Sequence, residues 1–126
     1  MKSVIAALTL ILAVVAGGFA YTANLVKVSN ELSEMNAAVQ SSLENNYIEN
    51  AEHQIEQMRG YLEDKESVLS AMGDHDELDE IKMNIAELEQ YVKGEMKTDA
   101  LAKSEVLEFL FEHMPENYRL KLRNVL

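Results

Sequence analysis

The first apolar segment of the chain is continuous and has no polar face. Residues 4–21 read VIAALTLILAVVAGGFAY, in which Thr9 is the one polar side chain before the closing tyrosine. A helix of this length spans about 27 Å at about 1.5 Å per residue, close to the roughly 30 Å of a bilayer's hydrocarbon core. The segment therefore predicts a transmembrane helix, with the basic N-terminus and Lys2 on the cytoplasmic side.

The same segment also has the parts of a cleavable signal peptide. Lys2 gives the basic start, residues 4–15 the apolar centre, and Gly18-Phe19-Ala20 a small-x-small cleavage sequence. Two features favour retention of this segment as a membrane anchor. The apolar segment is longer than the apolar centre of a usual signal peptide, and helical periodicity begins directly after it. We expect a retained anchor over residues 1–21 and an extracytoplasmic domain over residues 22–126, with cleavage and secretion as the alternative.

After the anchor the apolar positions recur every three or four residues, which indicates amphipathic helices. The pattern predicts a first helix that leaves the membrane and ends near Ser42, a second from about Tyr47 to Met72, a third from the acidic turn 74–77 to Gly94, and a fourth from Thr98. The apolar stripes are Leu25, Val28, Leu32, Met35, Val39 and Leu43; Ala51, Ile55, Met58, Leu62, Leu69 and Met72; Leu78, Ile81, Ile85, Leu88 and Val92; and Leu101, Val106, Leu107, Leu110, Phe111 and Met114.

Residues with known positional preferences mark the predicted helix ends. Asn46, with Glu49 three positions later, is expected to cap the second helix, and Thr98 to cap the fourth. Gly73 suits a left-handed stop of the second helix. Gly60 lies inside that helix, where we expect it to permit close packing. Pro115 cannot continue a regular helix, so the last eleven residues form either a bent continuation or a separate short helix.

The amino-acid composition is compatible with only one fold class, all-α. Leu, Ala, Glu, Met and Lys dominate, there is a single proline, and aromatic and β-branched residues are too sparse for a sheet. Short connections between consecutive helices favour antiparallel neighbours. The sequence predicts an all-α protein, in which an N-terminal transmembrane helix continues into an antiparallel bundle of about four helices.

The charge is strongly acidic. The chain has 11 Lys and Arg against 22 Asp and Glu, a formal charge of −11, and only Lys2 among the basic residues precedes the apolar segment. Such a surface repels phosphate backbones and anionic headgroups, so we expect no nucleic-acid binding and no basic helix lying on a membrane. The absence of cysteine excludes disulfides and thiolate chemistry.

Candidate chemistry is sparse. His75 and Asp79 stand one helical turn apart, as two metal ligands could, and His53 is the distant residue that could join them; structural roles are the preferred interpretation of all three. An EF-hand loop counted from Asp74 fails, because its sixth and twelfth positions hold Asp79 and Ile85. We expect no catalytic residue, no metal, no cofactor and no enzymatic activity.

Three features resemble a family of short bacterial membrane proteins. They are the single apolar span, the stretch HDELDEI at residues 75–81, and the ending LKLRNVL at residues 120–126. The chain is similar in these to the family of domain of unknown function 4363. That family often carries a tryptophan on the second helix; this chain has none, and Tyr61 is the candidate for that place. The resemblance implies a membrane-anchored helical protein and carries over no catalytic residue or cofactor.

The expected function is that of a membrane-tethered interaction module of the bacterial envelope, with a protein partner or self-association. The alternative is a ligand-sensing extracytoplasmic bundle. With only residues 1–3 on the inner side, a sensor of this kind needs a partner subunit to pass a signal inward.

Overall fold

The computed structural model describes residues 1–71 and 75–125, with side chains through Glu116. Within them the chain forms five helices and no strand. They are α1 (Lys2–Glu44), α2 (Ile48–Asp64), α3 (Glu66–Ser70), α4 (His75–Lys93) and α5 (Lys97–Val125). Helix α1 packs against α2 and α5, and α4 packs against the same two helices. The result is an antiparallel four-helix bundle, which confirms the predicted fold class.

The core is made by one stripe from each long helix. The predicted stripe of α4 is buried at all five positions, and on α2 the residues Ala51, Ile55, Met58 and Leu62 are buried as expected. Helix α5 differs from prediction: Ala100 is buried, whereas Val106 is 43% exposed. Through Glu116, the buried residues of α5 are Ala100, Ser104, Leu107, Phe111 and Met114, at spacings of four and three residues.

Helix α1 is one uninterrupted helix of 43 residues. The side chains of residues 1–17 are exposed, and the first buried residue is Leu25. Every residue of the predicted stripe on α1 is buried except Met35, which is only partly covered. The fully buried residue at that turn is its neighbour, Asn36. The bundle therefore begins several residues after the apolar segment, on the same helix.

Two turns at the end of the bundle remote from the N-terminus share one geometry. After α1, the Tyr47 N–H donates to Ser42 O at 2.8 Å and the Asn46 N–H donates to Leu43 O at 3.1 Å. With Asn46 at φ 61°, this is a Schellman stop, in which one left-handed residue lets the chain satisfy the last carbonyls. The turn after α4 repeats it, with Glu95 at φ 55° and Met96 bonded to Tyr91 O.

These turns correct two predicted caps. Asn46 ends α1 and does not cap α2, because its left-handed backbone belongs to the Schellman stop; Tyr47 precedes α2 without a side-chain cap. Helix α5 begins at Lys97, so Thr98 lies within its first turn. Gly94 follows the last residue of α4 as predicted, although the left-handed position falls on Glu95.

The predicted second helix is divided. Helix α2 ends at Asp64, Lys65 forms a turn, and α3 adds five residues. The remaining predictions for this connection, Met72 in the stripe and Gly73 as the stop, lie outside the described residues. Gly60 is exposed, and a Cβ added there would meet nothing within 4 Å. The prediction that Gly60 permits close packing is therefore wrong.

Pro115 lies inside α5, which continues as one helix through Val125. Of the two paths left open after Pro115, the continuation is the one found.

Candidate functional site

The apolar segment of residues 4–21 projects from the bundle. Helix α1 is long and apolar enough to cross a membrane, and none of its most apolar window is buried; a signal sequence would meet the same criteria. Tyr21 marks its junction with the bundle, because the Tyr21 hydroxyl donates to the Val68 carbonyl of α3 at 2.8 Å. The α3 end of the bundle is thus level with the end of the apolar segment.

A line of polar side chains crosses the α1–α5 interface at the centre of the bundle. We call it the polar seam. It consists of Ser29, Ser33, Asn36, Ser104 and Glu108. Ser29, Asn36 and Ser104 are buried, so their polar atoms need partners within the protein.

Asn36 is the centre of the seam and is fully buried. Its Nδ2 donates to the Ser104 carbonyl at 2.9 Å and to Glu108 Oε2 at 3.1 Å. Its Oδ1 accepts from Ser104 Oγ at 2.8 Å. Within the described residues, no buried side-chain nitrogen or oxygen lacks a hydrogen-bond partner.

The serines extend the seam along α1 in both directions from that point. Ser33 Oγ donates to Glu108 Oε1 at 2.9 Å, and Ser29 Oγ donates to the carbonyl of Phe111. Slipping α5 by one helical turn would leave these groups buried without partners, at about 1–3 kcal/mol each. The seam thus specifies the alignment of α1 with α5, as buried polar residues do in coiled coils.

The apolar stripe predicted for the first helix contains neither Ser29 nor Asn36, so the polar seam was not predicted. Their partners lie 68–82 residues away in the chain, so periodicity cannot reveal them. A partial signal did exist on α5. Ala100, Ser104, Leu107, Phe111 and Met114 follow a heptad spacing in which Ser104 occupies a core position.

Ion pairs connect α2 and α4 at the surface. Arg59 pairs with Glu89, which also accepts from Lys93 at 2.8 Å. The hydrogen bond from Lys93, supported by the charge of Arg59, holds the pKa of the Glu89 carboxyl below its usual value, and partial burial opposes this. Nearby, the hydrogen bond to Glu66 raises the pKa of Lys82.

A groove of about 330 Å³ lies over these pairs, between α2, α3 and α4. It is lined by Arg59, Leu62, Glu63, Glu66, Lys82 and Ile85. Both of its cations are engaged by carboxylates, Arg59 by Glu89 and Lys82 by Glu66. A ligand with a charged group would have to compete with these pairs.

Tyr61, the candidate for the family's tryptophan position, packs against the core at partial burial. Burial raises the pKa of its hydroxyl, and the charges of Glu31 and Asp64 raise it further. The Lys65 ammonium lies 5.7 Å from the centre of the ring, within the range of a cation–π contact.

The outer face of α5 carries exposed apolar side chains, which we call the α5 stripe: Ala102, Val106 and Phe109. They recur at four and three residues and so share one face. Phe109 is 60% exposed and Val106 43%. The Phe109 ring stacks on the His113 imidazole at a centroid distance of 4.1 Å, and His113 Nδ1 lies 2.8 Å from the Phe109 carbonyl.

The histidine candidates do not come together. His75 and Asp79 are exposed on the first turns of α4. Because Arg59 lies opposite Glu89 on antiparallel helices, His53 is level with the turn after α4, about 30 Å from His75. Its Nε2 faces Gln57 at 3.4 Å. No group of three or more metal-ligating side chains occurs in the described parts of the chain.

These features define a helical bundle whose first helix begins with an exposed apolar segment. Comparison with known protein families gives one match: residues 19–125 match the model of a domain of unknown function, DUF4363. The chain belongs to this family, which confirms the resemblance drawn from its sequence. No curated protein and no solved structure gives a significant match.

Proposed function

We propose that this chain is a membrane-tethered interaction module of the bacterial envelope. Residues 1–21 would be the retained anchor, with the N-terminus in the cytoplasm and the bundle outside. The supporting observation is the contrast within α1: the side chains of residues 1–17 are exposed although most are apolar, whereas the apolar stripe that begins at Leu25 is largely buried in the bundle. Lipid is the environment that removes such a surface from water.

The helix geometry supports retention of the leader over cleavage. The small-x-small sequence at residues 18–20 lies within continuous helix, and Tyr21, directly after it, is bonded to α3. A peptidase needs an extended backbone, so cleavage would require this turn of helix to unwind. A secreted form of the protein is the alternative.

The partner would bind the α5 stripe. Exposed apolar side chains that share a face are a usual feature of protein interaction sites. Acidic residues flank the stripe: Glu105, Glu112 and Glu116 are exposed on the same helix. An apolar surface with a basic rim would complement it, and such complementarity increases association rates. Two copies of this face would repel each other, so we favour a different protein over self-association.

Site-specific photo-crosslinking in native membranes tests this proposal. A benzoylphenylalanine at Phe109 is compared with one at Gln57, an exposed position on α2, which does not pack against α5. The expected result is one discrete adduct from position 109 that position 57 does not give, that Val106→Glu removes, and whose attached peptide is basic. Equal yields from both positions would overturn the proposed surface, and adducts only to a second copy would replace the partner by a homodimer.

The groove between α2, α3 and α4 favours a second candidate, a ligand-sensing bundle that acts through a partner subunit. Its volume of about 330 Å³ is at the lower end for small-molecule sites. A charged ligand there would displace Glu66 from Lys82. If an extracellular metabolite raises the melting temperature of wild-type protein but not of Lys82→Met, sensing is supported over simple tethering.

A further inference from the structure

The bundle consists of two equivalent helical hairpins, α1–α2 and α4–α5. The left-handed residues of their turns, Asn46 and Glu95, are 49 positions apart, and the backbone hydrogen bonds of the first turn recur in the second at the same offset. Buried positions recur as well, which gives the pairs Ser29 and Leu78, Leu32 and Ile81, Asn36 and Ile85, Val39 and Leu88, Leu43 and Val92, Ala51 and Ala100, Ile55 and Ser104, Met58 and Leu107, and Leu62 and Phe111. A rotation that exchanges the two hairpins therefore also exchanges the α1–α5 interface with the α2–α4 interface.

The groove between α2, α3 and α4 lies where this equivalence would place a second polar seam. In the α1–α5 interface, Ser33 donates to the carboxylate of Glu108 at 2.9 Å. At the offset of 49 residues, the counterpart of Ser33 is Lys82, and that of Glu108 is Arg59. Two cations have no acceptor to offer each other, so these positions cannot form the direct bond that their counterparts form. The groove of about 330 Å³ opens at this level.

The groove has an apolar floor and a balanced charge. Leu62 and Ile85 form the floor, and each is only 1% exposed. The charged lining consists of two cations and two carboxylates, Arg59, Lys82, Glu63 and Glu66. The hydrogen bond to Glu66 raises the pKa of Lys82, and the charge of Glu63 raises it further. Both carboxylates therefore lie near the Lys82 ammonium.

This charge balance selects the class of ligand. A simple anion that took Lys82 would release Glu66 beside Glu63, and the two carboxylates would repel each other. A simple cation that took Glu66 would release Lys82 to face Arg59. Both cases leave an unpaired charge at a partly covered site, which is costly. A zwitterion replaces both partners of the opened pair, so no charge is left without a partner.

We propose that this groove binds a free α-amino acid with an apolar side chain. The ligand carboxylate lies between the two cations, its ammonium lies beside the two carboxylates, and its side chain covers the apolar floor. The ligand carboxylate then connects α2 with α4 as the Glu108 carboxylate connects α5 with α1. A groove at the lower end of small-molecule volumes suits a ligand of this size. The inference rests on the second candidate function, ligand sensing, and does not depend on the membrane tether or the α5 stripe.

Isothermal titration calorimetry of the full-length protein in an uncharged maltoside detergent tests this inference. The probes are L-leucine, L-valine and L-phenylalanine. Three relatives of leucine each remove one feature: N-acetyl-leucine removes the ammonium charge, leucinamide the carboxylate charge, and glycine the side chain. We expect one amino-acid site per chain. Each relative should bind at least about tenfold more weakly than leucine, the factor that one charged hydrogen bond or one covered apolar side chain contributes.

Substitutions at an ion pair of the groove locate the site. Lys82→Met and Glu66→Gln should each weaken leucine binding at least about tenfold. The matched controls are Lys103→Met and Glu87→Gln, which break an ion pair of the same kind between α4 and α5, at 2.7 Å. These controls should leave the affinity unchanged. Circular dichroism of each variant establishes that the bundle is folded.

Absence of binding by all three amino acids at millimolar concentration would overturn the inference. Equal affinity for N-acetyl-leucine, or an unchanged affinity of Lys82→Met, would overturn it as well. A discrete crosslink from position 109 without amino-acid binding would contradict only the ligand site and not the proposed interaction surface. A different metabolite that stabilises wild-type protein but not Lys82→Met would keep the sensing candidate and contradict the amino-acid class.

Discussion

Removing the centre of the polar seam should destabilise the bundle far more than removing a neighbouring exposed amide. Asn36→Ala deletes three hydrogen bonds, at 2.8, 2.9 and 3.1 Å, from a fully buried position. Two involve neutral groups, worth about 1 kcal/mol each, and the one to the Glu108 carboxylate is worth about 1.5–3 kcal/mol. Glu108 keeps the hydrogen bond from the Ser33 hydroxyl, which places the total loss at the lower end of the sum, about 3.5 kcal/mol.

A double-mutant cycle isolates the seam from general packing effects. Ser104→Ala removes one bond and leaves Asn36 Oδ1 unpaired, so it should cost about 1–2 kcal/mol. In the double variant that bond is lost only once, which predicts a coupling energy of about 1 kcal/mol. Gln40→Ala is the matched control: Gln40 also reaches α5, at 3.4 Å from Glu105, but at an exposed position, and should cost less than about 0.5 kcal/mol.

The assay is urea unfolding of the detergent-solubilised chain, followed by far-ultraviolet circular dichroism. The reasoning would be refuted if Asn36→Ala behaved like Gln40→Ala. A coupling energy near zero with two large single effects would show instead that the α1–α5 alignment places Asn36 and Ser104 apart.

Three further predictions use other positions. Gly60→Ala should raise the free energy of unfolding by about 1 kcal/mol in the same assay, because the site is helical and an added Cβ meets nothing within 4 Å; a destabilised variant would contradict the exposed placement. Ile85→Asp should cost at least about 3 kcal/mol, since the side chain is 1% exposed, whereas Met83→Asp on the exposed face of α4 should change stability little; an unchanged melt for Ile85→Asp would mean that the face of α4 is wrong. Glu89→Gln should cost about 1 kcal/mol near pH 7. The lowered pKa of Glu89 gives stability that is present above its unfolded value of about 4.3 and is lost as pH falls through the lower folded value. The cost should therefore shrink steadily as the pH is lowered below about 4, and a penalty that does not change with pH would assign the effect to packing.

Helix α4 shows what the sequence suffices to predict. Its five apolar positions at spacings of three and four are all buried. A stripe of large apolar residues on one face of a helix is removed from water only when that face packs against the core. Helix α1 shows the limit. Asn36 is buried in the stripe and Met35 beside it is only half-covered, an outcome decided by hydrogen-bonding partners on α5 that no local pattern contains.

The predictions for helix ends and for single residues were wrong for a related reason: they depend on contacts that the local sequence does not determine. Asparagine is a good N-cap residue and also tolerates a left-handed backbone. In the connection between α1 and α2, Asn46 adopts the left-handed backbone and does not cap α2. Gly60 suits close packing, yet the face on which it lies has no neighbour. For the histidines, the distance between His53 and His75 follows from the register of α2 against α4, which periodicity does not fix.

The most direct test of the whole account is the intact mass of the protein in carbonate-washed membranes. We expect the complete chain of 14.2 kDa in the pellet, with residues 1–20 still attached. A shorter chain that begins at Tyr21 and is released into the medium, or a complete chain that remains in the wash, would contradict a bundle tethered through its own first helix.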